Sequence, residues 1–203
     1  QQEESMSPII QNTKFKLRIP FPVKEERYKN ASLAKIDFLT ENQEKKLKAW
    51  LEDPRNFLYC QSVYGVGKSY LAAAIAIFFY EKNFPVYMFN EHELFQMLHA
   101  EEQEGRLASW KIDLICGNNI VIWDDFGSTL THGKNDFKDN EKKELMFQFI
   151  DSRYNCMLPT IITTNLEVQQ IGDLINPRIS SRIAATENLI LEITGNDKRQ
   201  EGK

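Results

Sequence analysis

The segment SVYGVGKS, residues 62–69, decides how the rest of the chain is interpreted. It matches the phosphate-binding pattern G-x-x-x-x-G-K-[ST], except that Ser62 stands where the first glycine is expected. The aromatic, apolar run 56–62 before it predicts a strand, and the apolar stretch 68–82 after it predicts a buried helix. A strand, a glycine-rich loop and a helix in this order are the context that the pattern needs to hold a phosphate.

Each position of this loop has a chemical reason. Gly65 and Gly67 allow the backbone to turn its N–H groups toward a phosphate. Lys68 supplies a positive charge for the outer phosphates, and the Ser69 hydroxyl is a ligand for Mg²⁺. The residues expected to bind the nucleotide here are Tyr64, Gly65, Val66, Gly67, Lys68, Ser69 and Tyr70. The alternative interpretation is a plain glycine turn between a strand and a helix.

Strands and helices alternate along the chain. Runs typical of strands lie at 56–62, 86–90, 119–125, 160–165 and 188–194. Helices are predicted after an N-cap at Thr40, over 68–82, from 91 to about 104, and over 141–154. The strand runs are continuously apolar rather than alternating, which predicts an α/β fold whose parallel sheet is covered by helices on both faces.

Composition restricts the class of protein. The chain has 203 residues, of which 42% are hydrophobic and 27% charged, as expected for one globular domain. No apolar run is long enough to span a membrane, and the three cysteines lack metal-binding or disulfide spacing, so we expect a cytoplasmic protein. The net charge of −4 disfavours a dedicated duplex-DNA binder, which is usually basic.

An acidic pair closes the third strand run, in the segment IVIWDDFG, residues 120–127. Acidic side chains at the carboxyl edge of a buried parallel strand lie on the ligand side of an open α/β sheet. Asp124 is therefore expected in the Mg²⁺ shell, and Asp125 is expected to orient or deprotonate an attacking water. The alternative is an ordinary Asp-Gly-type turn after a strand.

Two further polar groups follow. Asn165 ends the run IITTN and is placed to polarise the same water, although a polar strand exit is also common. Arg178 and Arg182, in PRISSRIA, are four residues apart and share a face if the stretch is helical. No carboxylate lies close to them in sequence, and a basic surface face is the alternative interpretation.

Together these segments resemble an AAA+ ATPase of the DnaC/DnaI helicase-loader type and its close relative, the IstB transposition ATPase. The resemblance extends from Arg27 to Arg199 and rests on RYKNASLAKIDF, SVYGVGKS, IVIWDDFG, FIDSRYNCMLPTIITTN, RISSRI and ITGNDKR. It implies a P-loop NTPase fold, a three-layer αβα sandwich around a five-stranded parallel sheet of order 5-1-4-3-2. Residues 1–27 are then an extended N-terminal tail or linker, and residues 28–203 an AAA+ domain with little or no C-terminal lid.

The resemblance also implies roles for single residues. Asn165 is similar to the first sensor, and Arg182 to the arginine finger that reaches the γ-phosphate of a neighbouring subunit, with Arg178 beside it. Arg199 has the position of a second sensor, and the adenine is expected against Tyr28 to Ala31. The implied ligands are ATP or ADP with Mg²⁺, and the implied reaction is slow hydrolysis stimulated by assembly.

Partners are implied in the same way. Members of this family assemble on the hexameric replicative helicase and bind single-stranded DNA, and self-association is expected through the Arg178/Arg182 face. In the family, region 91–118 contacts single-stranded DNA. Arg106, Trp110 and Lys111 fit that use, whereas its many glutamates equally fit a plain amphipathic helix.

The sequence departs from the family in three places. Ser62 replaces the first loop glycine, the polar stretch 128–144 is long and predicts an exposed loop, and the helicase-binding N-terminal domain of bacterial loaders is not recognisable.

Four functions remain open at this point. The leading hypothesis is a helicase loader, and the second is an IstB-like ATPase that assists a transposase. The third is a nucleotide-binding interaction module without turnover, against which Lys68, Ser69 and the two aspartates argue. The fourth is a small-molecule kinase, which shares the phosphate loop but does not require the arginine pair or Asn165.

Overall fold

The computed structural model describes residues 22–96, 116–130 and 137–195, without the side chains of residues 137 and 138. Five parallel strands form one sheet in the order β2-β3-β4-β1-β5. The strands are β1 (Phe57–Gln61), β2 (Val86–Asn90), β3 (Ile120–Asp124), β4 (Thr160–Thr164) and β5 (Leu189–Glu192). The predicted order 5-1-4-3-2 is the same order counted from the other edge and is confirmed.

Helices cover both faces of this sheet. They are α1 (Glu41–Glu52), α2 (Lys68–Glu81), α3 (Phe137–Asn155), α4 (Val168–Leu174) and α5 (Pro177–Ile183). Two 3₁₀ turns, Glu26–Tyr28 and Leu33–Lys35, precede α1, and residues 91–96 are also helical. Within the described ranges, no helix has the length and hydropathy needed to cross a membrane.

The first helix begins where the sequence predicts. The Thr40 hydroxyl accepts a hydrogen bond from the Gln43 amide at 3.3 Å, and the Gln43 side chain accepts one from the Thr40 amide at 2.9 Å. This reciprocal capping box satisfies two N–H groups that the first turn would otherwise leave unpaired. The helix then buries Leu47, Trp50 and Leu51, so its start and its packing face agree.

The core has two layers, one on each face of the sheet. In β1, Leu58 and Cys60 pack in the cluster that contains α2, whereas Phe57 and Tyr59 pack in the cluster that contains α3 and α5. Full burial of a large apolar side chain contributes about 1.5–3 kcal/mol to the free energy of unfolding. Side chains on both faces of the sheet make this contribution only because helices cover both faces. The continuously apolar strand sequences are explained by this double cover.

Strand ends differ from the predicted runs by one or two residues, and backbone conformation explains two of these differences. Asn56 and Asp125 have φ angles of 57° and 56°, in the left-handed region that Asn and Asp tolerate better than most residues. An extended strand cannot continue through that conformation, so β1 begins at Phe57 and β3 ends at Asp124. Asp125 therefore belongs to the turn that follows the strand.

The predicted loop 128–144 is wrong in its second half, because α3 begins at Phe137 instead of at residue 141. The segment 137–144 is rich in Lys and Glu, which favour helix, and Lys142 lies 3.6 Å from Asp139 one turn away. Residues 131–136 lie outside the described residues.

Several other predictions also fall outside the described residues. They concern residues 1–21 of the predicted tail, the helix beyond residue 96, and Arg106, Trp110, Lys111 and Arg199. The division at residue 27 stays a prediction. Just before that point, Val23 is buried in the same core cluster as α2.

Arg153 connects α3 to the amino-terminal ends of the strands. Its guanidinium is fully buried and donates to the Thr160 hydroxyl at 2.6 Å, the Asn119 side chain at 3.1 Å, and the carbonyls of Asn119 and Pro159 at 2.8 and 2.9 Å. Burial lowers the pKa of Arg153 to about 9, so the group stays protonated at neutral pH. Its planar donors thus join one helix to the starts of β3 and β4.

Replacing Arg153 with methionine should lower the free energy of unfolding by at least about 3 kcal/mol, because buried carbonyls lose charged donors. Urea denaturation measures the change. Arg55→Met is the control, since Arg55 is half-exposed and pairs only locally with Asp53. A loss of unfolding free energy below about 1 kcal/mol for Arg153→Met would show that the buried hydrogen bonds of Arg153 contribute little to stability.

Candidate functional site

The loop between β1 and α2 has the backbone that its glycines predict. Gly65 and Gly67 have φ angles of 82° and 117°, and Gly67 is the residue that caps α2. A Cβ atom at Gly67 would lie 2.9 Å from Cε1 of Phe38, so both conformation and space require glycine there. The loop thus leads into the amino-terminal end of α2, whose free N–H groups and dipole favour an anion.

Lys68 links this loop to the end of β4. Its side chain is buried, and its ammonium donates to the Ser62 and Val63 carbonyls at 3.1 and 2.9 Å and to the Ser62 hydroxyl at 3.0 Å. It also donates to Oδ1 of Asn165 at 2.7 Å. Two residues that were singled out in separate motifs are therefore in direct contact, and Ser62 takes part through its own side chain.

Asp124 is buried at the end of β3 and is held from two sides. Its Oδ1 accepts a hydrogen bond from the Thr163 hydroxyl of β4, and its carboxyl group also interacts with the Ser69 side chain. The pKa of Asp124 is raised to about 6, mainly by burial and also by the Asp125 and Glu25 charges, although the hydrogen bonds from Thr163 and Ser69 act to lower it. The two predicted metal ligands, Ser69 and Asp124, are thus neighbours.

Asp125 faces the same space from the first position of the turn. It is half-buried, and its backbone amide donates to the Thr163 hydroxyl at 3.1 Å. The Thr163 hydroxyl therefore binds both aspartates, Asp124 at its carboxyl group and Asp125 at its backbone amide. No sequence motif contains this role of Thr163. The only sequence signal for it is that β3 and β4 are neighbours in the predicted order.

A cavity of about 730 Å³ is lined by Lys68, Ser69, Asp125 and Asn165, whereas Asp124 lies against a separate small pocket. Its walls include the loop residues Tyr64, Gly65, Gly67, Lys68 and Ser69, the polar residues Asp125, Ser128 and Asn165, and an aromatic and charged end formed by Arg27, Tyr28, Lys35, Asp37, Phe38 and Tyr70. This volume lies in the range of small-ligand sites. Val66 and Ala31 are buried in the core beside it, so their backbones rather than their side chains are available to a ligand.

The aromatic end of the cavity is organised by stacking. The rings of Tyr28 and Tyr70 meet edge to face with centroids 6.3 Å apart, and the Arg27 guanidinium lies 4.5 Å from the centre of the Tyr28 ring. The Tyr70 hydroxyl accepts a hydrogen bond from the Ser32 amide at 3.2 Å. Aromatic rings beside a guanidinium group suit contact with a heterocyclic base.

The two arginines lie elsewhere. The stretch PRISSRIA is helical as α5, so Arg178 and Arg182 share a face, but neither is among the described residues that line the cavity. Arg182 forms a salt bridge with Asp151 of α3, which the sequence did not suggest because the two are 31 residues apart. Both arginines also lie over the Phe147 ring, at 5.8 and 5.4 Å.

No separate metal site competes with this cavity in the part of the chain that the structure describes. No group of three or more His, Cys, Asp or Glu side chains there is arranged to hold a metal ion. Ser69 and Asp124 offer two oxygen donors, which fits Mg²⁺, an ion that usually takes few protein ligands and completes its shell with water and phosphate.

The pKa of Asp124 gives a test of this arrangement. Because the folded pKa of about 6 is above the ordinary 3.8, the free energy of unfolding falls as pH rises from about 4 to about 6 and stays lower above that. In EDTA at pH 8, Asp124→Asn should therefore raise the melting temperature, by about 2–4 °C per kcal/mol regained. At pH 5 the difference should shrink. An equal difference at both pH values would contradict the assignment.

Similarity to known proteins agrees with this geometry. A protein described as the ATP-binding protein of insertion sequence IS232, from Bacillus thuringiensis subsp. berliner, is 30% identical over 135 residues, which are 66% of this chain and 50% of that protein. The corresponding protein of IS5376, from Geobacillus stearothermophilus, is 25% identical over 57% of this chain and 42% of its own length. The chain therefore matches about half the length of these relatives or less.

Solved structures share the fold. The DnaC helicase loader superposes with a TM-score of 0.68 at 24% identity, covering 84% of this chain and all of that one. DnaA of Aquifex aeolicus bound to AMPPCP has a TM-score of 0.67 at 16% identity, covering 84% of this chain and 52% of that one. At these identities the similarity establishes the P-loop AAA+ fold, as predicted.

The family model for IstB-like ATP-binding proteins matches residues 25–184, which contain the loop, both aspartates, Asn165 and the arginine pair. The resemblance found in the sequence is thereby confirmed, and the chain belongs to the family of IstB-like ATP-binding proteins.

Proposed function

We propose that this chain is a Mg²⁺-dependent ATPase that loads a replicative helicase and whose hydrolysis is completed by a second copy of itself. The observation that carries the proposal is the convergence of Lys68, Asn165, Ser69 and Asp125 on one cavity, while the Asp124 carboxyl group interacts with the Ser69 side chain. These groups come from three strand ends, and each has the chemistry that phosphoryl transfer requires.

The cavity accommodates a nucleotide in one orientation. The phosphates belong at the loop, where α2 begins and Lys68 supplies charge, and the base belongs at the wall formed by Tyr28, Tyr70 and Arg27. Mg²⁺, held by Ser69 and Asp124, would neutralise charge on the phosphates. The backbone near Ala31 and Val66 would contribute N–H or C=O groups to the same ligand.

Lys68 and Asn165 respond to a bound phosphate together. In the structure the ammonium satisfies itself with carbonyl oxygens and with Oδ1 of Asn165. A phosphate oxygen is a stronger acceptor for an ammonium than a neutral carbonyl is. When Lys68 turns to the phosphate, the Asn165 amide is released to orient a water, and Asp125 can accept its proton. The side chain of Asp125 is one methylene group shorter than that of a glutamate, so it extends less far toward the water, and we therefore expect slow turnover.

The arginine pair supplies the dependence on assembly. Arg182 is 23% exposed, is tied to Asp151, and lies away from the described wall of its own cavity. An arginine delivered by an adjacent copy would stabilise the charge of the transferring phosphoryl group, with Arg178 contributing to the same contact. Hydrolysis would then report that two copies have come together, which makes the ATPase a switch.

The choice of partner rests on two lines of support. The fold shared with the DnaC helicase loader favours a hexameric helicase and single-stranded DNA, and the net charge of −4 argues against a duplex-DNA binder. The relatives from insertion sequences favour the second candidate, an ATPase that assists a transposase.

Co-purification distinguishes these partners. We expect the wild-type chain to bind a replicative helicase in the presence of ATP and Mg²⁺ and to retain single-stranded DNA, whereas Lys68→Ala should lose ATP binding and the ATP-dependent complex. Titration of a fluorescent ATP analogue measures the first loss directly. ATP-dependent binding to duplex DNA and a transposase, without the helicase, would support the second candidate. ATP binding without turnover in any assembly would indicate a non-hydrolysing module.

The finger can be tested by mixing variants. Arg182→Ala should bind ATP normally but lose assembly-stimulated hydrolysis by about 10³-fold, the range seen when an arginine finger is removed. Mixing it with Lys68→Ala should restore activity, because one variant keeps a working cavity and the other a working finger. Arg55→Ala is the control, because the half-exposed Arg55 side chain pairs with Asp53 and does not line the cavity. No restoration by mixing would show that Arg182 does not act on a neighbour.

A further inference from the structure

We propose that Glu91 is a positioning residue for the ATPase reaction, because its buried carboxylate anchors the turn 125–129 and so fixes the backbone that carries Asp125. The inference rests on the proposed function, and it assigns a part of the site that none of the sequence motifs contains. Glu91 directly follows β2, whose last residue, Asn90, is paired with Asp124 in the sheet. The residue therefore stands beside the acidic strand end.

Within the described residues, the hydrogen bonds of the Glu91 side chain go to the turn. Its side chain is fully buried, with Oε2 accepting a hydrogen bond from the Gly127 amide at 2.5 Å. Oε1 accepts from the Thr129 amide and from the Thr129 hydroxyl, both at 2.8 Å. A carboxylate is suited to this task because it accepts several donors and brings no donor of its own.

The turn needs an anchor because its backbone is unusual. Asp125 and Gly127 both have left-handed φ angles, of 56° and 82°, and a Cβ atom at Gly127 would lie 2.6 Å from Cδ1 of Leu166. Such conformations persist only where the surroundings hold them. The position of Asp125 therefore depends on what binds the turn on each side.

Two sets of contacts bind it. From β4, the backbone of Thr163 accepts from the Phe126 amide at 2.8 Å, and the Thr164 hydroxyl donates to the Phe126 carbonyl at 2.7 Å. From the other side Glu91 binds residues 127 and 129, and Lys142 of α3 donates to the Thr129 carbonyl at 3.2 Å. Hydrogen bonds to β4 thus hold the first half of the turn, and hydrogen bonds to Glu91 and Lys142 hold the second half.

Burying this carboxylate has a cost that a purely apolar contact would avoid. Burial raises the pKa of Glu91, although the hydrogen bonds from Thr129 and Gly127 and the charge of Lys142 lower it. An ionisable group kept in the interior next to a reactive turn is a candidate for a functional role. Here the role is geometric, because the carboxylate touches the backbone of the turn and not the ligand cavity.

The experiment uses the full chain with ATP and Mg²⁺ and compares Glu91→Ala and Glu91→Gln with the wild type. Loss of the anchor should lower kcat for ATP hydrolysis by about 10²-fold, the effect of misplacing a catalytic group by about 1 Å. The Kd for a fluorescent ATP analogue should stay within about threefold, because Glu91 is not among the described residues that line the cavity. Gln keeps one acceptor and should lose less than Ala.

Two further variants separate positioning from general stability. Thr129→Val removes one of the three hydrogen bonds and should show a small loss of kcat, which Thr129→Ser should not show. Leu47→Ala opens a cavity in α1, far along the chain from the turn, and should lower the melting temperature with kcat preserved. Amide hydrogen exchange at Gly127 and Thr129, read by NMR, should accelerate in the Glu91 variants and not in Leu47→Ala.

The outcomes are distinct. If Glu91→Ala and Glu91→Gln fold and keep the wild-type kcat, the positioning role is refuted while the ATPase proposal stands. If kcat and ATP affinity fall together, as in a general loss of structure, the positioning role is likewise refuted. If the wild-type chain itself binds ATP but never hydrolyses it in any assembly, the proposed function fails, and the inference fails with it.

Discussion

The parallel pairing of β1 with β4 is the constraint on which the site depends. Because Gln61 and Thr164 are register partners, the phosphate loop and Asn165 leave the sheet side by side. The Lys68 ammonium can then bind both, at 2.9 Å to the Val63 carbonyl and 2.7 Å to Asn165. If β4 stood one strand position further from β1 in the sheet, Asn165 would move away from Lys68 by about 4.8 Å, the spacing between neighbouring strands. That is beyond hydrogen-bonding distance. Sheet order, more than any single residue, therefore assembles the site.

The same edge of the sheet concentrates buried charge. Lys68, Glu91 and Asp124 are all nearly or fully excluded from solvent, and burial raises the pKa of both carboxyl groups. Each desolvated charge opposes folding unless hydrogen bonds replace the lost water. Thr163 of β4 provides such a bond to Asp124, the backbone of the turn provides one to Glu91, and Ser62, Val63 and Asn165 accept those of Lys68. The apolar layers on the two faces of the sheet supply the stability that offsets the cost of these buried charges.

Local patterns in the sequence were sufficient for the fold and for half of the site. Strand and helix runs predicted the element order, and three short motifs predicted that Lys68, Asp124 and Asn165 belong together. Contacts between distant segments were not predictable in this way. Thr163 with Asp124, Glu91 with the turn, and Asp151 with Arg182 each join residues more than 30 positions apart and follow no periodicity. The left-handed backbone conformations of Asn56 and Asp125 likewise set the start of β1 and the end of β3, which the apolar character of the sequence alone cannot show.

Arg182 shows how a conditional contact can be built from ordinary interactions. Its guanidinium donates to Asp151 and to the Arg178 carbonyl and lies over the Phe147 and Tyr154 rings, which keeps it ordered in a single copy. Its Nε atom is nevertheless buried without a hydrogen-bond partner among the described residues. A phosphate brought by a second copy would give that donor an acceptor and would offer more negative charge than one carboxylate. Under the proposed function, Arg182 would exchange Asp151 for phosphate only when a neighbour delivers a nucleotide, and an isolated chain would need no separate inhibitory element to stay inactive.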